Sequence, residues 1–78
     1  MLNLDIELLH LAQADRHIAQ CRQHIRQQIA LIRRCTADGG DVRQAQELLS
    51  AMRDTQRVMR LHRQTLRTML PPDTSARI

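Results

Sequence analysis

The sequence predicts an all-α chain, an antiparallel helical hairpin that pairs with a second copy to make a four-helix bundle. Three observations carry this reading. Apolar residues recur at heptad spacing on both sides of a single break, the break is a Gly-Gly turn, and the segments flanking it are similar in length. With 78 residues there is room for one small domain, expected over 1–70, followed by a short tail over 71–78.

The first helix is expected over about 4–37. Leu4, Leu11, Ile18, Ile25 and Ile32 fall at heptad position a, and Ala14, Cys21, Gln28 and Cys35 at d, which gives a long helix with a narrow apolar seam. Asn3 suits the N-cap, and Asp5 and Glu7 sit favourably against the positive end of the helix dipole. The turn is expected at 38–41. Asp38-Gly39-Gly40-Asp41 offers a glycine for a left-handed C-cap, and Asp41 with Gln44 three residues on has the signature of a capping box.

The second helix is expected over about 42–70. Its position a reads Ala45, Met52, Met59 and Leu66, and its d reads Leu48, Thr55, His62 and Met69. Pro71-Pro72 withhold backbone donors and disfavour helix at the preceding residue, so the helix should stop near Leu70. At 1.5 Å per residue the two helices would run about 50 and 44 Å, close enough to lie side by side. Folding back at the glycines then pairs seam with seam: Ile32 with Leu48, Gln28 with Met52, Cys21 with Met59, Ile18 with His62 and Leu11 with Met69.

Two helices touching along one line bury too little apolar surface to offset the entropy of ordering both, and a core of this size supplies only about 3–5 kcal/mol. A second copy would cover the apolar shoulders left over, Leu8, Ile29, Leu31, Leu49, Ala51, Val58 and Leu70. The anchors of the resulting core and interface are expected to be Leu11, Ile18, Ile25, Ile32, Leu48, Met52, Met59 and Leu66. The competing arrangement is a hairpin docked onto a different protein.

Composition narrows the function classes. The chain is 42% apolar, yet its longest apolar run, Ile29 to Ile32, is only four residues, so neither a disordered chain nor a membrane span is expected. The first residues lack the basic region and small-residue cleavage site of a secretory signal, which points to a cytoplasmic, bacterial-type protein. There is no Phe, Tyr or Trp, hence no stacking platform for single-stranded bases.

Ala14-Asp15-Arg16-His17-Ile18-Ala19-Gln20, the Asp38-Gly39-Gly40-Asp41 turn, Ala45 with Leu48-Leu49, and His62-Arg63 resemble a group of short, uncharacterised proteobacterial helical-hairpin proteins, over roughly residues 8–70. The resemblance implies a bacterial origin and a hairpin, and carries no activity. That group is richer in glutamate, where this chain has Arg22, Gln23, Gln27 and Arg57. In architecture alone the chain is also similar to the Rop repressor, a dimeric hairpin that binds paired RNA loops. No sequence motif supports that comparison, and a shared fold does not carry function with it.

Few residues suggest chemistry. His17, Cys21 and His24 stand at i, i+4 and i+7, and the pairing above brings His62 within a turn of Cys21, a combination of imidazole and sulfur that suits zinc. Against that, there is no CxxC or HxxxH pair, and half-exposed histidines beside a seam are the ordinary explanation. Cys21 and Cys35 lie about 21 Å apart along one helix and cannot bridge each other. Only two glutamates are present, far apart in sequence, and no nucleophile–histidine–carboxylate set converges, so neither an enzyme nor a bound cofactor is expected.

All twelve basic residues are arginine, with eight acidic residues against them and a net charge of +4. Arg53, Arg57, Arg60, Arg63 and Arg67 advance by three or four residues along the second helix, and Arg22, Arg26 and Arg33 do likewise on the first. Guanidinium forks suit phosphates, and such ribbons could track a nucleic-acid backbone. Asp15, Glu47 and Asp54 interrupt the field, however, and a solvated face is the commoner meaning of such charges. A self-associating interaction module is therefore the first reading, nucleic-acid binding the second and a metal-binding regulator the third.

Overall fold

The computed structural model describes residues 4–70. Within them the chain is a helical hairpin, α1 over Leu4–Ala37 and α2 over Arg43–Thr68, with no strand among the described residues. The rod is 56 Å long and 17 by 16 Å across. Asn3 as N-cap, the Pro71-Pro72 stop and the tail over 71–78 lie outside the described residues.

The turn is set by Gly39 and Gly40. Gly39 has φ of 75°, its N–H donates to the Thr36 carbonyl, and the Gly40 N–H donates to the Cys35 carbonyl at 2.8 Å. These two bonds close a Schellman motif and satisfy carbonyls that the end of α1 would otherwise leave open. A side chain at Gly40 would bring its Cβ within 3.2 Å of the Cys35 carbonyl oxygen. The start of α2 differs from the expected capping box. Asp41 accepts from the Arg43 N–H at 2.9 Å, Val42 holds the N-cap position without a side-chain bond, and Gln44 does not reciprocate. At the far end α2 stops at Thr68, two residues short of the expected bound, and the Leu70 N–H turns back to the Arg67 carbonyl.

From Leu11 onward the seam of α1 runs as the heptads predict, while Leu4, its first expected position, is exposed. Leu11, Ala14, Ile18, Cys21, Ile25 and Gln28 are buried, and Ile32 and Cys35 half-buried. On α2 only half of the predicted seam is correct. Ala45, Met52 and Met59 are half-buried and Leu66 is buried, but Leu48, Thr55, His62 and Met69 are exposed. Their places are taken by the next residue along in each case: Leu49, Gln56 and Arg63, all half-buried, and Leu70, which is buried. The true seam therefore reads Val42, Ala45, Leu49, Met52, Gln56, Met59, Arg63, Leu66 and Leu70, alternating three- and four-residue steps throughout.

Two contacts explain why this register wins. Arg63, which would be solvated in the predicted register, turns along the seam edge to pair with Asp15 of α1. Leu70 packs with Leu11, Ala14 and Leu66 into the one buried apolar cluster, with Leu8 against it, at the open end of the hairpin. Seating Met69 instead would place Leu70 in solvent and dissolve that cluster. The cross-helix hydrogen bonds also lie one heptad nearer the turn than the expected pairings. The Gln28 amide donates to the Ala45 carbonyl at 2.9 Å and the Cys21 thiol to the Met52 carbonyl at 3.7 Å, where Met52 and Met59 were the expected partners.

The resulting core is thin. Leu11, at 1% exposure, is the one large side chain fully enclosed, and the polar Gln28 occupies a central seam position. Glu7, the seam position before Ala14, is half-buried with one carboxylate oxygen closed off and unbonded among the described residues.

Candidate functional site

With the seam fixed, the positions that flank it fall on the two long sides of the hairpin. A groove on one side is lined by Asp15, Ile18, Ala19 and Arg22 of α1 and by Arg60, Arg63, Gln64, Arg67 and Thr68 of α2. A groove on the other is lined by His17, Gln20, Cys21 and His24 of α1 and by Leu48, Ala51, Met52, Thr55 and Met59 of α2. Residues at seven-residue steps from these share their side, because a seven-residue step returns to the same stripe of a helix in a coiled hairpin.

On the first side that rule gathers arginine. Arg26 and Arg33 follow Ala19, Arg53 precedes Arg60, and Arg57 and Arg43 precede Gln64. Eight of the twelve arginines, Arg22, Arg26, Arg33, Arg43, Arg53, Arg57, Arg60 and Arg67, therefore stand on one side of a rod. Asp15 is the carboxylate within the groove, and Arg63 engages it. Arg57 lies 3.4 Å from Asp54 and Arg43 lies 3.7 Å from Asp41, both pairs well exposed. No carboxylate among the described residues pairs with Arg22, Arg26, Arg53, Arg60 or Arg67.

Arg63 thus leaves the set that the spacing on α2 suggested. Its side chain is 29% exposed, it occupies a seam position, and its charge is spent on Asp15. The other four members, Arg53, Arg57, Arg60 and Arg67, stay exposed on one side. Reasoning one helix at a time missed that Arg22 of α1 lines the same groove and that Arg26, one heptad beyond Ala19, stands on the same side. The signal was present in the sequence, but it became readable only once Leu49 rather than Leu48 was known to sit in the seam.

The second side carries almost no charge. Ile6, Leu31, Leu48, Val58 and Met69 belong to it, five of the eight large apolar side chains that the described residues leave exposed; of the other three, Leu61, one heptad before Thr68, borders the arginine groove. All four histidines are here too: His17 and His24 line the groove, and His10 and His62 lie one heptad beyond His17 and Thr55. Arg34, near the turn, is the one arginine on this side among the described residues.

The suggested metal ligands are only partly brought together. His17, Cys21 and His24 line one groove, but His62 is exposed and does not join them. Cys21 is buried with its thiol directed to the Met52 carbonyl. No group of three or more His, Cys, Asp or Glu side chains among the described residues is arranged to hold an ion. Nor is any helix among them long and apolar enough to cross a membrane.

Comparison with protein-family models, with curated proteins and with solved structures finds no match to this chain.

Proposed function

We propose that this protein is a small interaction module that self-associates through its apolar side, two hairpins packing face to face about a two-fold axis as an antiparallel four-helix bundle. The observation that carries the reading is the one-sided placement of Ile6, Leu31, Leu48, Val58 and Met69 around a groove floored by Met52 and Met59. Leu48 is 51% exposed and Val58 65%, and at about 25 cal/mol per Å² their burial would add to a seam that encloses one large side chain completely. A second copy is the occupant that fits best. The side is nearly free of charge, so two copies meet without like-charge repulsion, and a two-fold axis lets one patch cover itself. Methionines along the groove adapt to small irregularities in such a contact.

In this arrangement Leu48, exposed in the single hairpin, becomes an interface anchor, while Leu11, Ile18, Ile25 and Leu66 keep the hairpin closed. The His17, Cys21 and His24 groove is filled by apolar contact rather than by metal. Sedimentation equilibrium across micromolar to millimolar concentration tests the proposal: the expected mass is twice the 9.1 kDa of the chain, with a melting temperature that rises with concentration. A mass of one chain throughout, with a concentration-independent melting temperature, would refute it.

A further inference from the structure

We propose that the arginine side is a binding track for the phosphate backbone of a double-stranded nucleic acid, read without regard to sequence. It uses the side that self-association leaves clear, and it stands whether or not two hairpins pair.

Placement and pairing carry the inference, more than the number of arginines. Arg53, Arg60 and Arg67 recur every seven residues along α2, a straight row of about 21 Å on a rigid helix. Across the groove, Arg22 of α1 lines the opposite wall and Arg26 stands one heptad beyond Ala19 on the same side, with Ile18 and Ala19 between the rows. Packed helices lie about 8–10 Å apart, so the two rows are separated by roughly that distance. Duplexes carry one phosphate charge per 1.7 Å of axis, so a track of about 21 Å meets about a dozen phosphates, ample for five guanidinium groups.

None of these five pairs with a carboxylate among the described residues. The one carboxylate in the groove, Asp15, is taken up by Arg63. The net charge of +4 understates the field along the groove, because eight arginines share this side while Asp15 is the one carboxylate that lines the groove. A charged side of this kind gains its binding energy by releasing counterions from a dense polyanion.

Other anionic partners fit less well. Single strands are held by bases stacked on aromatic rings, and this chain has none. Interfacial membrane binding needs several apolar residues interleaved with the basic ones, and Leu61 is the single exposed large apolar residue among the described ones that borders this side. The backbone of RNA and DNA duplexes offers the same chemistry, so both are used as probes.

The test is fluorescence anisotropy of the full chain against RNA and DNA duplexes of about two helical turns, titrated over salt concentration. The expected slope of log K against log salt is about −4, from four to five phosphates neutralised, which amounts to roughly a 200-fold loss between about 50 and 200 mM. R60Q combined with R67Q should make the slope shallower by about two and lower affinity at low salt about tenfold. R16Q combined with R34Q removes the same net charge from outside the groove and should change affinity less than about twofold. Circular dichroism and mass, measured on each variant in the same buffer, separate lost binding from lost folding or lost pairing. A preference for RNA or for DNA assigns the source of the duplex. The proposal is overturned by no binding of either duplex at low salt, by equal losses in the two double variants, by single strands binding as tightly as duplexes, or by phosphatidylserine vesicles binding more tightly than nucleic acid through the same arginines.

Discussion

The two long sides of this hairpin are made from the same two helices, yet among the described residues one carries eight arginines with only Leu61 of the exposed large apolar residues at its border, while the other carries five of those apolar residues and a single arginine. The difference shows how a chain of 78 residues can present two chemically distinct surfaces without a second domain. The seam closes the hairpin, one flank is suited to contact between copies, and the opposite flank is kept polar and charged. A random scatter of the same composition would satisfy neither requirement.

The largest expected effect comes from destroying the element both sides share. Ile25 lies at the centre of the α1 seam, 9% exposed, and Ile25→Asp would place a carboxylate there with no partner. The expected cost is on the order of 3 kcal/mol or more, enough to abolish helical circular dichroism at room temperature in so thin a core. Retention of the wild-type melting curve would show that the seam is not what holds the two sides in place.

A smaller effect is expected at Gln28, whose buried amide ties α1 to the Ala45 carbonyl beside the turn. Gln28→Ala removes that bond and leaves a void, for a loss of about 1–2 kcal/mol by thermal melting. Gln28→Leu should be close to neutral in stability, since it trades the bond for apolar contact. A large loss in the leucine variant would mean that the amide fixes the register, and with it the allocation of residues to sides.

The smallest effect is expected at Asp15. Its pair with Arg63 is partly exposed, so Asp15→Asn should cost less than about 1 kcal/mol of stability. The same substitution frees the Arg63 charge and removes the carboxylate from the arginine groove, so duplex affinity should rise severalfold at low salt. A fall in affinity at unchanged stability would mean that Asp15 orients the site rather than quenching it.

Much of the fold was legible in the sequence. The seam of α1, the glycine turn and the hairpin follow from heptad spacing and from two residues that tolerate unusual backbone. The seam of α2 was only half legible, and the reason is specific. Leu48 and Leu49, Thr55 and Gln56, His62 and Arg63, and Met69 and Leu70 are four adjacent pairs, and in each the sequence offers two candidates for one seam position. Local hydrophobicity does not separate Leu48 from Leu49 or clearly separate Met69 from Leu70, and it favours Thr55 and His62 over Gln56 and Arg63. The structure takes the second, because Arg63 reaches Asp15 and Leu70 completes the cluster with Leu11 and Leu66. Both are contacts across some fifty residues of chain that no local pattern displays. That shift of one residue hid the two-sidedness as well, since the side on which Arg53, Arg60 and Arg67 stand depends on it.

The most direct measurement is sedimentation equilibrium of two double variants beside the parent, L48E/V58E on the apolar side and R60Q/R67Q on the arginine side. The account predicts that charging the apolar side yields a folded or partly folded single chain of about 9.1 kDa, while the arginine variant keeps the doubled mass of the parent. The opposite pattern, or two variants that both sediment like the parent, would contradict the division of labour between the two sides.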